Sequence, residues 1–259
     1  MKKTLKLILE YFKINLQSAM EYRINFISQA VFMFVNDIAW IIFWGIFFNK
    51  FSTVNAWSFK DIALMFMIIT IAWGGLGVVF GNFSKIAQVI RQGHLDYYLA
   101  LPREELTHLL ISKAKFHAFG DLGFGIVMAI IFLPITKLPL AIILIILSMT
   151  ILLAFAIILG SLSFHIGSSV ELSESGLWSI LSIGTYPFSA FSGYARIILL
   201  TIIPAGFISG IPVELLRNFS IKWLLIMFAF AIGLMTLAII IFKRGIRKYE
   251  SGNLINVRV

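Results

Sequence analysis

Long apolar runs, broken by short polar segments, occupy most of this chain. A helix needs about 20 mostly apolar residues to cross a bilayer, and the sequence supplies such runs repeatedly. The pattern predicts an all-α integral membrane protein with a single transmembrane domain over residues 1–259. The six predicted spans cover about 24–48, 61–81, 117–135, 140–164, 177–193 and 223–242. In the second span, Gly77 and Gly81 have the spacing that lets another helix approach closely.

Residues 2–23 precede the first span and have a helical period on two faces. Their apolar residues recur every three or four positions, and polar residues, mainly lysines, follow the same spacing on another face. This pattern is typical of an amphipathic helix that lies in the membrane interface with its basic side towards the headgroups. Membrane lipid is therefore an expected partner, although the segment would also suit a solvated start to the first span.

The largest polar interruption, at residues 82–116, separates the second span from the third. Gly93 follows an apolar helical stripe and marks its end, and Pro102 disfavours helix at the residue before it. The pattern predicts a helix, a break at Gly93, a short helix over 95–99, and a further helix after Pro102 that leads into the third span. Such an element either protrudes as a knob for a partner's groove or lies on the membrane as an ordinary loop.

The apolar stretch 197–213 decides the topology, because counting it as a span would put the two termini on opposite faces. Four helix-breaking residues interrupt it, namely Pro204, Gly206, Gly210 and Pro212. With six spans and both termini inside, 15 of the 21 Lys and Arg residues lie on the inner face, which is the bias that sets orientation. We therefore expect cytoplasmic termini and a re-entrant 197–213 made of two broken half-helices. The segment 166–176 is then a polar turn.

Composition and the absence of known motifs exclude several functional classes. The chain is 60% hydrophobic and 13% charged, with a mean hydropathy of +0.97. Its net charge of +9 therefore reflects inner-face basic residues, and nucleic acid is not an expected partner. The absence of cysteine excludes disulfides and thiol chemistry. Because it has no P-loop, H-E-x-x-H or G-x-S-x-G motif, we expect no catalytic residue, metal site or cofactor on this chain. Glu104, Glu105 and His108 suit the charged face of the 82–116 insert better than a metal site.

Asp37 is the residue that packing explains least, since a charge at mid-bilayer costs roughly 2.5–3.5 kcal/mol. It follows Asn36, and Trp40 and Trp44 lie on its face of the first predicted span, at i+3 and i+7. One interpretation makes Asn36, Asp37, Trp40 and Trp44 the lining of a substrate path or a subunit interface. The other makes Asn36 and Asp37 a pair that hydrogen-bonds a neighbouring helix for packing specificity.

Three motifs, taken together, point to a known family. In the insert, the spaced residues are Ile90, Arg91, Gly93, Leu95, Asp96, Leu99 and Pro102. This spacing resembles the signature that follows the second span in ABC-2 type permeases, the membrane subunits of ATP-binding-cassette exporters. The tail from Phe242 to Asn253 and the stretch from Arg196 to Pro212 are similar to one bacterial branch, described only as ABC-2 family transporter proteins.

The resemblance implies an exporter subunit in the bacterial cytoplasmic membrane. It implies a coupling region at 82–102 that docks on a separate ABC ATPase subunit, and that subunit would bind the ATP and Mg²⁺. It also implies an interfacial N-terminal helix, re-entrant helices before the last span, and a dimer with a second copy or with a related permease. The substrate stays open, because the chain lacks an identifiable aromatic-rich polar lining of the kind found in sugar-exporting relatives.

Three other functions are compatible with so apolar a chain. A stand-alone secondary transporter or channel should show internal repeats and broken helices in both halves, whereas only 197–213 is interrupted in this way. A membrane-embedded enzyme would need catalytic groups that the sequence does not offer. A non-transporting membrane scaffold or immunity factor would need neither an ATPase nor a substrate path.

Overall fold

The computed structural model describes residues 2–102, 104–166, 169–187 and 190–249. Within these ranges the chain is helical and contains no strand, which confirms the predicted all-α class. The tail motif continues to Asn253, and its residues beyond 249 lie outside the described part. The α-helices are α1 Lys2–Glu21, α2 Arg23–Lys50, α3 Phe59–Val79, α4 Ile86–Arg91, α5 Leu95–Leu99, α6 Glu105–Ile111, α7 Ala118–Phe132, α8 Leu138–Ser161, α9 Ser169–Gly184, α10 Gly193–Thr201, α11 Ile211–Arg217 and α12 Ile221–Ile246.

The described helices are those of a multi-pass membrane protein. Four of them are long and apolar enough to cross a bilayer, namely α2, α3, α12 and the segment Ile135–Phe164, which is α8 with its flanking 3₁₀ turns. A bent pair, Gly193–Thr201 with Gly206–Arg217, would be a fifth span if it crosses as one unit. The bend between its halves is 77°.

Helix α3 is the centre of the bundle. It is apolar on all sides and largely buried, as expected for a helix surrounded by others. Helices α2, α7 and α8 pack around it. Its glycines let α7 approach closely, since a Cβ built on Gly77 would lie 2.6 Å from the Cβ of Ala118. In contrast, α2 and α12 leave most of their apolar side chains exposed or only partly buried.

This close contact between α3 and α7 makes Gly77→Ala a destabilising substitution. Overpacking of this kind costs roughly 1–3 kcal/mol, so we expect a lower midpoint of thermal unfolding in detergent micelles. Gly233→Ala in α12 is the matched control, because no atom lies within 4 Å of a Cβ built there. Alanine favours helix by up to about 1 kcal/mol over glycine, so this variant should unfold at the same or a higher temperature. Equal midpoints for the two variants would contradict the packing.

Three predicted boundaries are wrong. The expected polar turn at 166–176 is helical from Ser169, because Ser169, Ser173 and Leu177 are buried at four-residue intervals while Glu171 points outward. The fifth span therefore begins before residue 177 and ends at Gly184, so Pro187 follows α9 instead of lying inside it. The third helix of the insert does not lead into α7. It ends at Ile111, and residues 112–117 are not helical.

The non-helical turn at 112–117 is fastened to the end of α3. The backbone N–H of Lys115 donates to the carbonyl of Gly77 at 2.8 Å. The side chain of Asn82 donates to the carbonyl of Leu109 at 2.9 Å and to the Ser112 hydroxyl at 2.7 Å. Because α7 then begins only at Ala118, it has 15 residues and a length of about 22 Å, shorter than a bilayer core of about 30 Å.

The stretch 197–213 is divided into two helices, but by one break instead of several. The chain leaves α10 after Thr201 and resumes as a π-helical turn at Gly206–Gly210 that continues directly into α11. Pro212 stands in the first turn of α11, where its missing N–H is tolerated. Of the four predicted breakers, only Pro204 therefore lies at the break, while Gly206, Gly210 and Pro212 lie inside helix.

Candidate functional site

A cavity of about 360 Å³ lies between α2, α3, α7 and α9. Its walls are apolar and aromatic with a few polar groups, a composition typical of small-molecule sites. The lining residues are Met33, Asn36, Asp37, Trp40, Phe66, Ile69, Thr70, Trp73, Asp121, Trp178, Leu181, Ser182, Thr185 and Tyr186. It therefore collects side chains from four helices that are far apart in the chain.

Two carboxyl groups meet in the cavity wall. Asp37 of α2 is 6% exposed and Asp121 of α7 is 3% exposed. The Asp37 carboxyl group lies within hydrogen-bond reach of Asp121 and of the Asn36 side chain. In the described part of the chain, the Oδ2 atoms of Asp37 and Asp121 are buried without a hydrogen-bond partner. Asp37 thus contacts a neighbouring helix and also faces a cavity, and both interpretations of it stay predictions.

Aromatic side chains form the walls of the cavity around this pair. Trp73 of α3 and Trp178 of α9 have ring centroids 6.4 Å apart, and Trp40 of α2 is about half exposed. Trp44 does not line the cavity. It is buried against Phe47 and other rings, and it contacts the lining residue Tyr186 from outside at 5.9 Å. Of the four residues predicted to act together, three line the cavity, namely Asn36, Asp37 and Trp40, and Trp44 does not.

Sequence reasoning missed four prominent lining residues, namely Asp121, Trp73, Trp178 and Tyr186. Asp121 carried the same signal as Asp37, since it is an acidic residue within a predicted span at 117–135. The aromatic residues carried no such signal, because tryptophan and tyrosine are common wherever a helix meets the membrane interface. Only the placement of α2, α3 and α9 around one cavity shows that these rings and the carboxyl pair share its walls.

A partly buried lysine lies close to the cavity. The amino group of Lys115 donates to the Ser84 hydroxyl and sits over the rings of Trp73 and Phe83, at 5.7 and 4.9 Å from their centroids. Burial, reinforced by the positive charge of Lys85, lowers the pKa of Lys115 to about 8. Lys115 therefore lies near the lining residue Trp73 without lining the cavity itself, and the lining contains no Lys, Arg or His among the described residues.

The 82–116 insert forms the second candidate site. Helices α4 and α5 follow each other through Gly93, whose φ of +72° lies in the region that favours glycine. Ile90 and Leu95 are buried, so they hold the element onto the bundle. Three predicted coupling residues, Arg91, Leu99 and Pro102, are exposed, and so is Tyr97, which the motif did not include.

Three contacts connect the 82–116 insert to α9, to α12 and to the segment just after α12. Arg91 faces Glu171 of α9 with 3.8 Å between Nη1 and Oε1, although both side chains are largely exposed. The hydroxyl of Tyr249, after α12, lies near Asp96 of α5. Burial and the Asp96 carboxyl group raise the pKa of Tyr249 to about 12. Lys243 of α12 pairs with Glu104 at 3.3 Å.

The polar groups of α6 serve the packing of this region. His108 is buried, and Tyr11 of α1 contacts it with a hydroxyl-to-Nδ1 distance of 3.3 Å. Asn15 of α1 donates to the carbonyl of Ser112 at 3.2 Å. Glu104 is engaged by Thr107 and Lys243. In the described ranges, no group of three His, Asp or Glu residues is placed to hold a metal ion.

The opposite end of the bundle is closed by the bent pair. The Ser209 hydroxyl donates to the carbonyl of Gly184 at 2.6 Å, which joins the π-helical turn to the end of α9. Arg217 of α11 pairs with Asp61 of α3 at 3.4 Å and donates to the carbonyl of Ala56 at 2.7 Å. The bent pair is therefore attached both to a cavity-lining helix and to the start of the central helix.

The comparisons with known proteins agree with the motifs of the insert and the tail. The family model of the ABC-2 family transporter proteins matches residues 34–252, which is most of the chain. No curated protein and no solved structure matches significantly.

Proposed function

The chain belongs to the ABC-2 family of transporter proteins, and from that premise we propose that it is the permease subunit of an ATP-driven exporter. The observation that carries this proposal is the exposed α4–α5 element, which bears the family's motif at one end of a bundle that encloses a cavity. The chain has no P-loop, so a separate ABC ATPase subunit supplies the ATP site and its Mg²⁺. In this proposal the chain itself catalyses no reaction.

The proposed topology has six spans, with the insert in the cytoplasm of a bacterium. Most Lys and Arg residues then lie on the inner face, which agrees with the positive-inside rule. Helices α7 and α9 are the two short spans of this topology. Helix α7 packs against α2 and α3, and α9 packs against α8. The bent pair of α10 and α11 lies at the outer face as a re-entrant element. Helix α1 rests in the inner interface against α6.

A second permease copy, identical or related, completes the proposed transporter. Helix α2 presents apolar side chains that this chain leaves uncovered, including the half-exposed Trp40 at the cavity. A substrate path between two copies would pass along this face. Lipid covers the remaining apolar surface of α12.

The proposed coupling runs from α4 and α5 to α9. An ATPase that closes on ATP would press on the exposed side of the element, and the buried Ile90 and Leu95 would make it move as one body with the bundle. Helix α4 packs on α8 and α9, and α9 carries the lining residues Trp178 and Leu181. A displacement of α9 would therefore change the shape of the cavity directly.

Purification of the full-length chain from its native membranes in a mild detergent tests the proposal. We expect a P-loop ATPase to co-purify in stoichiometric amount, and the complex to hydrolyse ATP. Proteoliposomes that contain the complex should transport substrate only when ATP is supplied on the side of the insert. Full transport by this chain alone would show that it is a stand-alone transporter. Purification of the intact chain without any ATPase and without transport activity would show that it is a scaffold.

A further inference from the structure

The cavity combines buried negative charge with aromatic walls. Asp37 and Asp121 are almost fully buried, and each has an oxygen without a partner among the described residues. Two carboxyl groups within hydrogen-bond reach share one proton, because two adjacent negative charges repel. The pair then retains one negative charge that no basic residue of the lining neutralises.

The aromatic rings are placed to complement a positive charge. Tryptophan binds cations on its face more strongly than other aromatic residues do, and Trp40, Trp73 and Trp178 all line the cavity. Trp178 is 62% exposed and Trp40 is 48% exposed, so these two rings stand at the open side. The remaining lining carries no charge and mixes apolar side chains, such as Phe66 and Leu181, with hydroxyl and amide groups. A ligand that fits this arrangement has an apolar body and one positive charge.

The charged neighbours of the pair do not cancel this preference. Lys115 is the basic group that acts on Asp121, but its amino group donates to the Ser84 hydroxyl and lies over the rings of Trp73 and Phe83. Lys115 is not among the residues that line the cavity. The volume of about 360 Å³ lies within the range of roughly 300–1,000 Å³ typical of small-molecule sites.

We propose that this cavity binds lipophilic organic monocations, with the Asp37–Asp121 pair as their counter-charge and the tryptophans as their walls. This inference rests on the proposed function, since it names the substrate class of the exporter. A bound cation would neutralise the one negative charge that the pair retains beside its shared proton. Substrates of this class carry their charge on a protonated or quaternary nitrogen, or on a phosphonium centre, within an apolar frame.

Equilibrium binding of two ions of the same shape tests the charge preference. Tetraphenylphosphonium and tetraphenylborate differ in the sign of their charge, and binding is measured on the purified full-length chain against empty micelles. We expect the unmodified chain to bind the phosphonium and to discriminate against the borate by at least about 10-fold, as expected when a buried charge lacks its counter-charge. Equal binding of both ions, or binding of neither, would overturn the proposal.

Substitutions then locate the site. Asp37→Asn combined with Asp121→Asn should weaken phosphonium binding by at least about 10-fold and leave borate binding unchanged or stronger. Glu10→Gln on the exposed face of α1 is the control, and it should bind as the unmodified chain does. If the double variant does not fold, Trp178→Ala serves instead, because that exposed side chain supports little packing. Undiminished phosphonium binding in the folded variants would overturn the site.

This measurement is separable from the test of the proposed function, because it needs no ATPase. If the chain binds phosphonium through the aspartates but never associates with an ATPase, the cation site is supported and the exporter function is contradicted. If the chain forms an ATP-hydrolysing complex but does not discriminate between the two ions, the exporter function is supported and the cation site is contradicted.

Discussion

Replacing Tyr97 and Leu99 with alanine is expected to weaken association with the ATPase subunit strongly. Both side chains belong to α5 and are exposed, Tyr97 at 63% and Leu99 at 37%, and their neighbours Ile90 and Leu95 are buried, so the fold is retained. An aromatic residue at the centre of an interface commonly contributes about 2 kcal/mol or more, which corresponds to about a 30-fold loss of affinity. The dissociation constant of the purified ATPase for the permease measures this effect.

The control for this prediction uses an exposed pair at the other end of the bundle. Tyr194→Ala with Phe219→Ala removes two exposed aromatic side chains, 86% and 61% exposed, from the side of the bent pair. This variant should bind the ATPase with unchanged affinity. If the two double variants lose affinity equally, or if Tyr97→Ala with Leu99→Ala retains it, α5 is not the docking surface.

Gly93→Val is expected to uncouple ATP hydrolysis from transport without preventing assembly. Gly93 has a φ of +72°, and a β-branched residue in that region stores roughly 1–3 kcal/mol of strain. The connection between α4 and α5 would relax to another angle, so the force of the ATPase would reach α9 poorly. We expect ATPase binding and hydrolysis to persist while transport in proteoliposomes falls at least about 10-fold. Asp96→Asn, which changes the contact with Tyr249, should have the same phenotype.

Gly193→Val separates coupling from simple backbone strain. Gly193 also has a positive φ, +55°, and no atom lies within 4 Å of a Cβ built there. It introduces a similar strain at the start of α10, far from the insert. Its ratio of substrate transported to ATP hydrolysed should match that of the unmodified complex. A normal ratio in the Gly93→Val complex would show that the α4–α5 connection does not transmit the movement.

The helical class and the bipartite insert follow from local properties that the sequence displays directly. Apolar runs of bilayer length identify membrane helices because lipid leaves the backbone no partners except its own. The break at Gly93 and the short helix at 95–99 were predictable because glycine and proline act on their immediate neighbours. The early start of α9 was missed because Glu171 and Glu174 dominate the local composition, although the burial period of Ser169, Ser173 and Leu177 is helical.

Side-chain direction was the property that the sequence did not display. In a membrane protein both the lipid-facing and the core-facing sides of a helix are apolar, so periodicity does not say which side packs. The motif around Gly93 therefore mixes buried anchors, Ile90 and Leu95, with exposed residues such as Arg91 and Leu99, and only the packing of α4 and α5 separates them.

The sequence by itself determined that this is a multi-pass α-helical membrane protein with one amphipathic insert, and it identified Asp37 as a costly charge, because chain length, hydropathy and local helix breakers are encoded residue by residue. Only the tertiary structure decided that Asp37 meets Asp121, that Trp73 and Trp178 surround the pair, and that Trp44 does not. The sequence alone does not reveal this site because the cavity forms between helices that are far apart in the chain. Its charge and its walls are properties of how α2, α3, α7 and α9 pack, and no single segment contains them.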